Sequence, residues 1–167
     1  MSVHEHQQFL ATWEHEAQST LQLLRALPAT QYDFRPDAGG RSMGELAWHL
    51  AEVDGYISDG AVAGQFDFAK KIPGLERPRT FAEVASGYER VHREAVARVR
   101  AMKPEDFERN ISFMGRDMRA ADILWSVLLH HAIHHRGQLS LMVRLAGGEA
   151  PGIYGPNREA MAAMRRG

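Results

Sequence analysis

The chain has 167 residues, with 20 Lys and Arg against 21 Asp and Glu for a formal net charge of −1, and it carries nine histidines and no cysteine. With 44% hydrophobic and 25% charged residues, residues 1–167 suit one compact domain with a real core, not a disordered chain. Disulfides, thiolate metal sites and a cysteine nucleophile of the chain's own are excluded, and the balanced charge offers no electrostatic footprint for nucleic acid.

The first helical pattern runs from about residue 4 to 27, with Phe9, Trp13, Ala17, Leu21 and Leu24 at spacings of three and four. Pro28 stops it, and residues 31–41, with Pro36 and Gly39-Gly40, read as a linker. Ser42-Met43-Gly44-Glu45 reads as a capping box opening a second helix. That helix shows Leu46, His49, Leu50, Val53 and Ile57 on one side and is expected to weaken near Gly60 and Gly64. Residues 66–79 read as loop. Thr80-Phe81-Ala82-Glu83 is a second capping-box pattern, predicting a third helix with Val84, Tyr88, Val91, Ala95 and Val99 that fades near Pro104.

Residues 104–120 read as irregular, with a small hairpin in which Ile111–Met114 and Met118 flank Gly115-Arg116-Asp117. A fourth helix is predicted from about residue 121 to 146, ending at Gly147-Gly148, and Asn157 is placed to cap a short last helix over 158–165. The pattern predicts an all-α four-helix bundle. Met1–Gln8 lacks the basic patch and apolar stretch of a secretory signal. The most apolar window, residues 121–129, is interrupted by Asp122 and Ser126 and falls far short of the roughly 20 residues of a membrane span. A cytoplasmic location with no membrane partner is expected.

The fourth helix holds two interleaved i, i+4 pairs, His130/His134 and His131/His135. That spacing stacks two imidazoles on one face within reach of one metal ion. At about 100° per residue, Leu124, Val127, Leu128, His135, Gln138 and Met142 fall within roughly 60° of His131. His131 and His135 therefore centre the apolar face. Two imidazoles make a weak site. His49 is the best-placed third donor, being core-facing on the second helix, although a lone inward histidine is more often a hydrogen-bonded core residue. His4, His6, His15, His130 and His134 read as surface residues, and His92 lies beside Val91 on the third helix. Arg136 reads as a solvent or interface residue. Gln138 reads as a buried polar group, or as a partner that orients His135. Glu45 reads as a cap and Glu52 as a solvated charge, and neither is marked as a general base.

The run His131-Ala132-Ile133-His134-His135-Arg136-Gly137-Gln138 resembles the H-x-x-x-H-R-G-Q signature of the DinB/YfiT superfamily of small metalloenzymes. Tyr32-Asp33-Phe34-Arg35-Pro36, the stretch Arg41-Ser42-Met43-Gly44-Glu45-Leu46 leading to His49, and Tyr154-Gly155-Pro156 are similar to other parts of that family's pattern. The likeness extends over about residues 8–156. It implies an up-down bundle with a long crossover and a divalent ion bound by His49, His131 and His135; three imidazoles and water do not fix the metal, so nickel, zinc and manganese are all expected candidates. It further implies a small-molecule substrate and a homodimer. Trp125, Leu129, Ile133 and Val143 form a second apolar strip that suits either a dimer contact or packing under residues 104–120. Some relatives transfer low-molecular-weight thiols such as bacillithiol, and others use mycothiol. The leading expectation is therefore a metal-dependent thiol S-transferase in detoxification or stress response, its thiol arriving as a cosubstrate. A metal-dependent hydrolase and a non-catalytic, stress-induced metal- or ligand-binding bundle are the alternatives.

Overall fold

A computed structural model describes residues 3–166. Three long helices, α1 (Val3–Arg25), α2 (Met43–Ala63) and α3 (Val84–Arg100), precede a short helix α4 (Pro104–Glu108) and a hairpin of β1 (Asn110–Phe113) and β2 (Arg116–Arg119). One helical turn, α5 (Ala120–Asp122), then leads through a π-helical segment (Ile123–His130) into α6 (His131–Leu145), and α7 (Arg158–Met164) closes the chain. Residues 120–145 act as the fourth helix of a four-helix bundle. The main neighbours of α2 are α3 and this fourth rod, while α1 packs chiefly on α3. The first two helices are thus not principal neighbours, and residues 26–42 form the crossover between them. No helix among the described residues is long and apolar enough to cross a membrane.

The capping box at α2 forms as expected: Glu45 N–H donates to Ser42 Oγ at 3.2 Å, and Ser42 N–H to Glu45 Oε2 at 2.7 Å. Gly60 does not weaken the helix. A Cβ there would lie 2.3 Å from the Phe66 ring, so the glycine lets the following loop fold back against α2, and Gly64 ends the helix with φ 77°. The second capping box does not form. Thr80 makes no side-chain cap, and a 3₁₀ turn over Phe81–Glu83 comes before α3. The hairpin turn falls one residue earlier than expected. Met114 and Gly115 take φ of 49° and 80°, the two left-handed positions of a tight hairpin turn, which leaves Arg116 and Asp117 in β2.

Two apolar clusters fill the bundle. One gathers Leu21, Leu24, Met43, Leu46, Leu50, Leu139 and Val143. The other gathers Phe9, Trp13, Val53, Ile57, Ile111, Leu124 and Leu128. Buried polar residues stand near the level where they meet. His92 Nδ1 lies 2.7 Å from Asp54 Oδ2, and Asp54 Oδ1 accepts from Trp13 Nε1 at 3.2 Å. Tyr88 sits beside them, and burial pushes its phenol well above the ordinary tyrosine range.

Arg136, expected at the surface, is instead buried. It donates to the Glu16 backbone carbonyl at 2.8 Å, to Glu16 Oε2 at 2.5 Å and to the Tyr154 hydroxyl. Burial works to raise the Glu16 pKa, but the hydrogen bonds from Tyr154 and Arg136 outweigh it and hold the carboxyl below its ordinary value. His6 also departs from expectation, half-buried with Nε2 3.0 Å from the Val99 carbonyl oxygen and its ring on Phe107. The second apolar strip is largely used within the chain. Leu129 and Val143 are buried, and Trp125 meets the Phe9 ring edge-on at 5.3 Å.

Candidate metal centre

The capping box fixes where α2 begins, which places His49 near the end of its second turn, facing the fourth rod. There its ring lies 5.6 Å from that of His131 and 4.8 Å from that of His135, centroid to centroid. One ring nitrogen from each of the three can be chosen so that all lie within 4.8 Å of one another, and all three residues are half-buried. The Nε2 atoms of His131 and His135 are only 2.6 Å apart.

The second nitrogen of each ring is engaged elsewhere. His49 Nδ1 meets Glu52 Oε2 at 3.0 Å, and His135 Nδ1 meets Gln138 Oε1 at 2.7 Å. His131 hydrogen-bonds the backbone of Val127, one turn back. This is the arrangement by which outer partners set the tautomer and ring angle of metal-binding histidines. Nitrogens about 2 Å from a shared tetrahedral ion would stand about 3.3 Å apart. The observed separations of 2.6 Å and up to 4.8 Å bracket that figure, so small ring rotations fit the three donors to one ion.

Electrostatics favour the same use. Burial, joined by the nearby His49, lowers the His131 pKa against the pull of the Val127 hydrogen bond. Burial also takes His135 down to about 4, opposed by Gln138 and aided by its histidine neighbours. Both imidazoles are neutral at pH 7, the form a metal requires.

The sequence reading of His131 and His135 as the inward pair matches the geometry, for His130 and His134 are exposed. Glu52 was missed as a partner, although its i+3 spacing from His49 was a usable signal. Gln138 is exposed, not buried, and its Oε1 lies 2.7 Å from His135 Nδ1. His92, with its Asp54 partner, belongs to a separate buried cluster. Also unread was a cavity of about 390 Å³ bordered by His49 and His131 and walled by Val53, Tyr56, Phe68, Phe113, Met114 and Val127.

The family model described as DinB family matches residues 1–166. The chain belongs to the DinB family. It is 32% identical to YrdA of Bacillus subtilis over 160 residues, covering 92% of this chain and 90% of YrdA. A DinB-like protein of Bacillus cereus superposes with a TM-score of 0.73 at 28% identity, over 87% of this chain and 95% of that one. YfiT of Bacillus subtilis gives a TM-score of 0.66 at 15% identity, over 89% of this chain and 91% of its own, and supports the fold. YfiT is described as "a probable metal-dependent hydrolase with an unusual four-helix bundle topology".

Proposed function

We propose that this DinB-family chain is a metal-dependent hydrolase of a small molecule, with a divalent ion held by His49, His131 and His135. One observation carries the reading: three imidazoles converge while Glu52 and Gln138 engage the Nδ1 atoms of His49 and His135. Three protein donors leave at least one coordination position open, as catalytic sites do. Nickel and zinc suit three imidazoles, and manganese, which prefers oxygen, would need water ligands beside them. When bound, the ion supplies Lewis acidity and makes a water or thiol beside it more acidic. The chain's own residues hold and orient the donors, and Phe68, Phe113, Met114 and Val127 present an apolar wall to the substrate. The description of YfiT lends support.

Thiol S-transfer is the second reading, relevant to detoxification or stress response. A second cavity of about 360 Å³ beside His135, lined by Arg41, Gln138, Leu141 and Met142, favours it by offering room for a cosubstrate next to the donors. The thiol would come from outside a chain that has no cysteine.

The test begins with elemental analysis of untagged protein purified without added metal. About one divalent ion per chain is expected, absent from the His131→Ala, His135→Ala double variant. Metal-loaded protein is then offered ester and amide substrates, and in parallel an electrophile with a panel of low-molecular-weight thiols. Hydrolysis lost in His49→Ala supports the first reading, and thiol-dependent turnover lost in the same variant supports the second. Metal occupancy that survives the double variant refutes the site. Turnover in neither assay leaves a non-catalytic metal-binding bundle.

A further inference from the structure

The histidine cluster stands between two cavities that are both walled mainly by apolar side chains but differ in the charged residues that line them. The cavity beside His49 and His131 is apolar, and no Lys or Arg lines it. Its one charged lining residue, Glu52, is engaged by His49. Phe68 and Met114 stand at its edge 62% and 80% exposed, so both are accessible to a ligand.

The cavity beside His135 contains a cation, Arg41. Several arginines of the chain pair with carboxylates, among them Arg35 and Arg77 on Glu45, Arg100 on Glu14 and Arg144 on Glu159, and among the described residues several do not. Arg41 has no carboxylate within 4.0 Å among the described residues. Asp37 lines the same cavity, but its Oδ1 accepts from Gly39 N–H at 3.3 Å within the linker turn. Arg41 directly precedes the cap residue Ser42, so the box that registers α2 also fixes the guanidinium's backbone.

We infer that the ligand of this site is a small amphipathic anion that spans the triad, its apolar end against Phe68 and Met114 and its anionic group on Arg41. A guanidinium with no internal partner is a ready acceptor for a carboxylate, sulfonate or phosphate. An apolar pocket with one or two placed polar groups is the ordinary form of a small-molecule site. Arg41 is a specificity-determining residue in this scheme, and the reacting bond falls between the two ends, beside the histidines. The inference rests on the proposed metalloenzyme reading for its reaction but not for its binding.

The test is calorimetric titration of the full-length protein, both metal-loaded and chelator-treated, with ω-phenylalkyl sulfonates of two to eight methylenes and with the matching neutral alcohols. Sulfonates are poor metal ligands, so their preference reports on the protein. At one chain length the sulfonate is expected to bind about tenfold more tightly than the alcohol, roughly 1.4 kcal/mol. Arg41→Gln should reduce that ratio to within twofold and Arg41→Lys should keep most of it. The Phe68→Ala, Met114→Ala double variant should weaken sulfonate and alcohol alike by fivefold or more. Equal binding at every length, a preference that survives Arg41→Gln, or a double variant that binds as wild type overturns the inference. Binding can succeed while metal content and turnover fail, and the reverse, so the two readings fall separately.

Discussion

Arg136 tests the division between the residues that hold the bundle and those at the metal centre, because it directly follows His135 yet points into the core. It is 2% exposed and its partner carboxylate on Glu16 is 13% exposed. Arg136→Ala removes the donations to the Glu16 carbonyl, the Glu16 carboxylate and the Tyr154 hydroxyl. Glu16 then keeps only the Tyr154 hydroxyl, which donates to it at 2.6 Å. Breaking a buried ion pair from one side costs about 3–5 kcal/mol, because the remaining charge is left without compensation. Glu16 keeps some contact with solvent, so the low end, about 3 kcal/mol, applies. For a chain of this length that lowers the melting temperature by about 6–12 °C. Urea unfolding followed by tryptophan fluorescence measures the loss. A Glu16→Gln, Arg136→Met pair should recover most of it, since no charge is left unpaired. Stability within about 0.5 kcal/mol of wild type for Arg136→Ala refutes the reasoning. Loss of metal at unchanged stability would instead assign Arg136 to the metal centre.

Glu52→Ala should lower metal affinity about 10–100-fold with the fold intact, since it removes only the partner that orients His49; competition with a chelator reads the change, and unaltered affinity refutes the role. In chelator-treated protein, His135 titrates near 4 and His131 below its ordinary value, whereas both titrate near 6.5 when unfolded. The unfolded state therefore binds more protons between about pH 6.5 and 4, and stability falls as pH drops through that window. Denaturation at pH 7 and 4.5 should show a loss that is smaller in a His131→Gln, His135→Gln variant, and an equal loss in the two proteins counts against the shifted histidines. Gly44→Ala would put a Cβ 2.3 Å from the Tyr32 ring, and overpacking of this kind costs about 1–3 kcal/mol. A thermal melt should therefore fall by several degrees, and an unchanged melt would show that Tyr32 moves aside freely.

Sequence periodicity carried most of the fold because the long helices owe their position to apolar stripes. Phe9, Trp13, Ala17, Leu21 and Leu24 are buried as their spacing requires. It carried the histidine pair for the same reason, since α6 is regular from His131 onward. Arg136 escaped because a single arginine at a helix position looks the same whether it meets water or a carboxylate from another helix. Glu16, its partner, is remote in sequence and carries no local mark of the pairing. The second capping box escaped because Thr80 and Glu83 have the right spacing, yet nothing local fixes whether the first turn closes as α or 3₁₀. Val53 and Val127 fall on the histidine faces by spacing, but the rest of the cavity wall escaped, for Phe68 and Met114 lie in connecting segments that only tertiary packing brings to α2.

The π-helical segment explains why there is room beside His131 at all. In an α-helix, Leu124 stands seven residues before His131 and within about 20° of it, so its side chain would share the histidine's face. A π-helix winds more loosely, with i→i+5 bonds, so over the same residues it turns Leu124 away from that position. Leu124 is fully buried in the cluster with Phe9 and Trp13, and Leu128 with it. Val127, by contrast, stays half-buried beside His131 as part of the cavity wall. The wider winding thus moves two leucines from the histidine face into the core, and it does so directly before the residues that converge on His49. A regular helix through residues 123–130 would keep the i, i+4 pair but put leucine where the substrate of the proposed enzyme must enter.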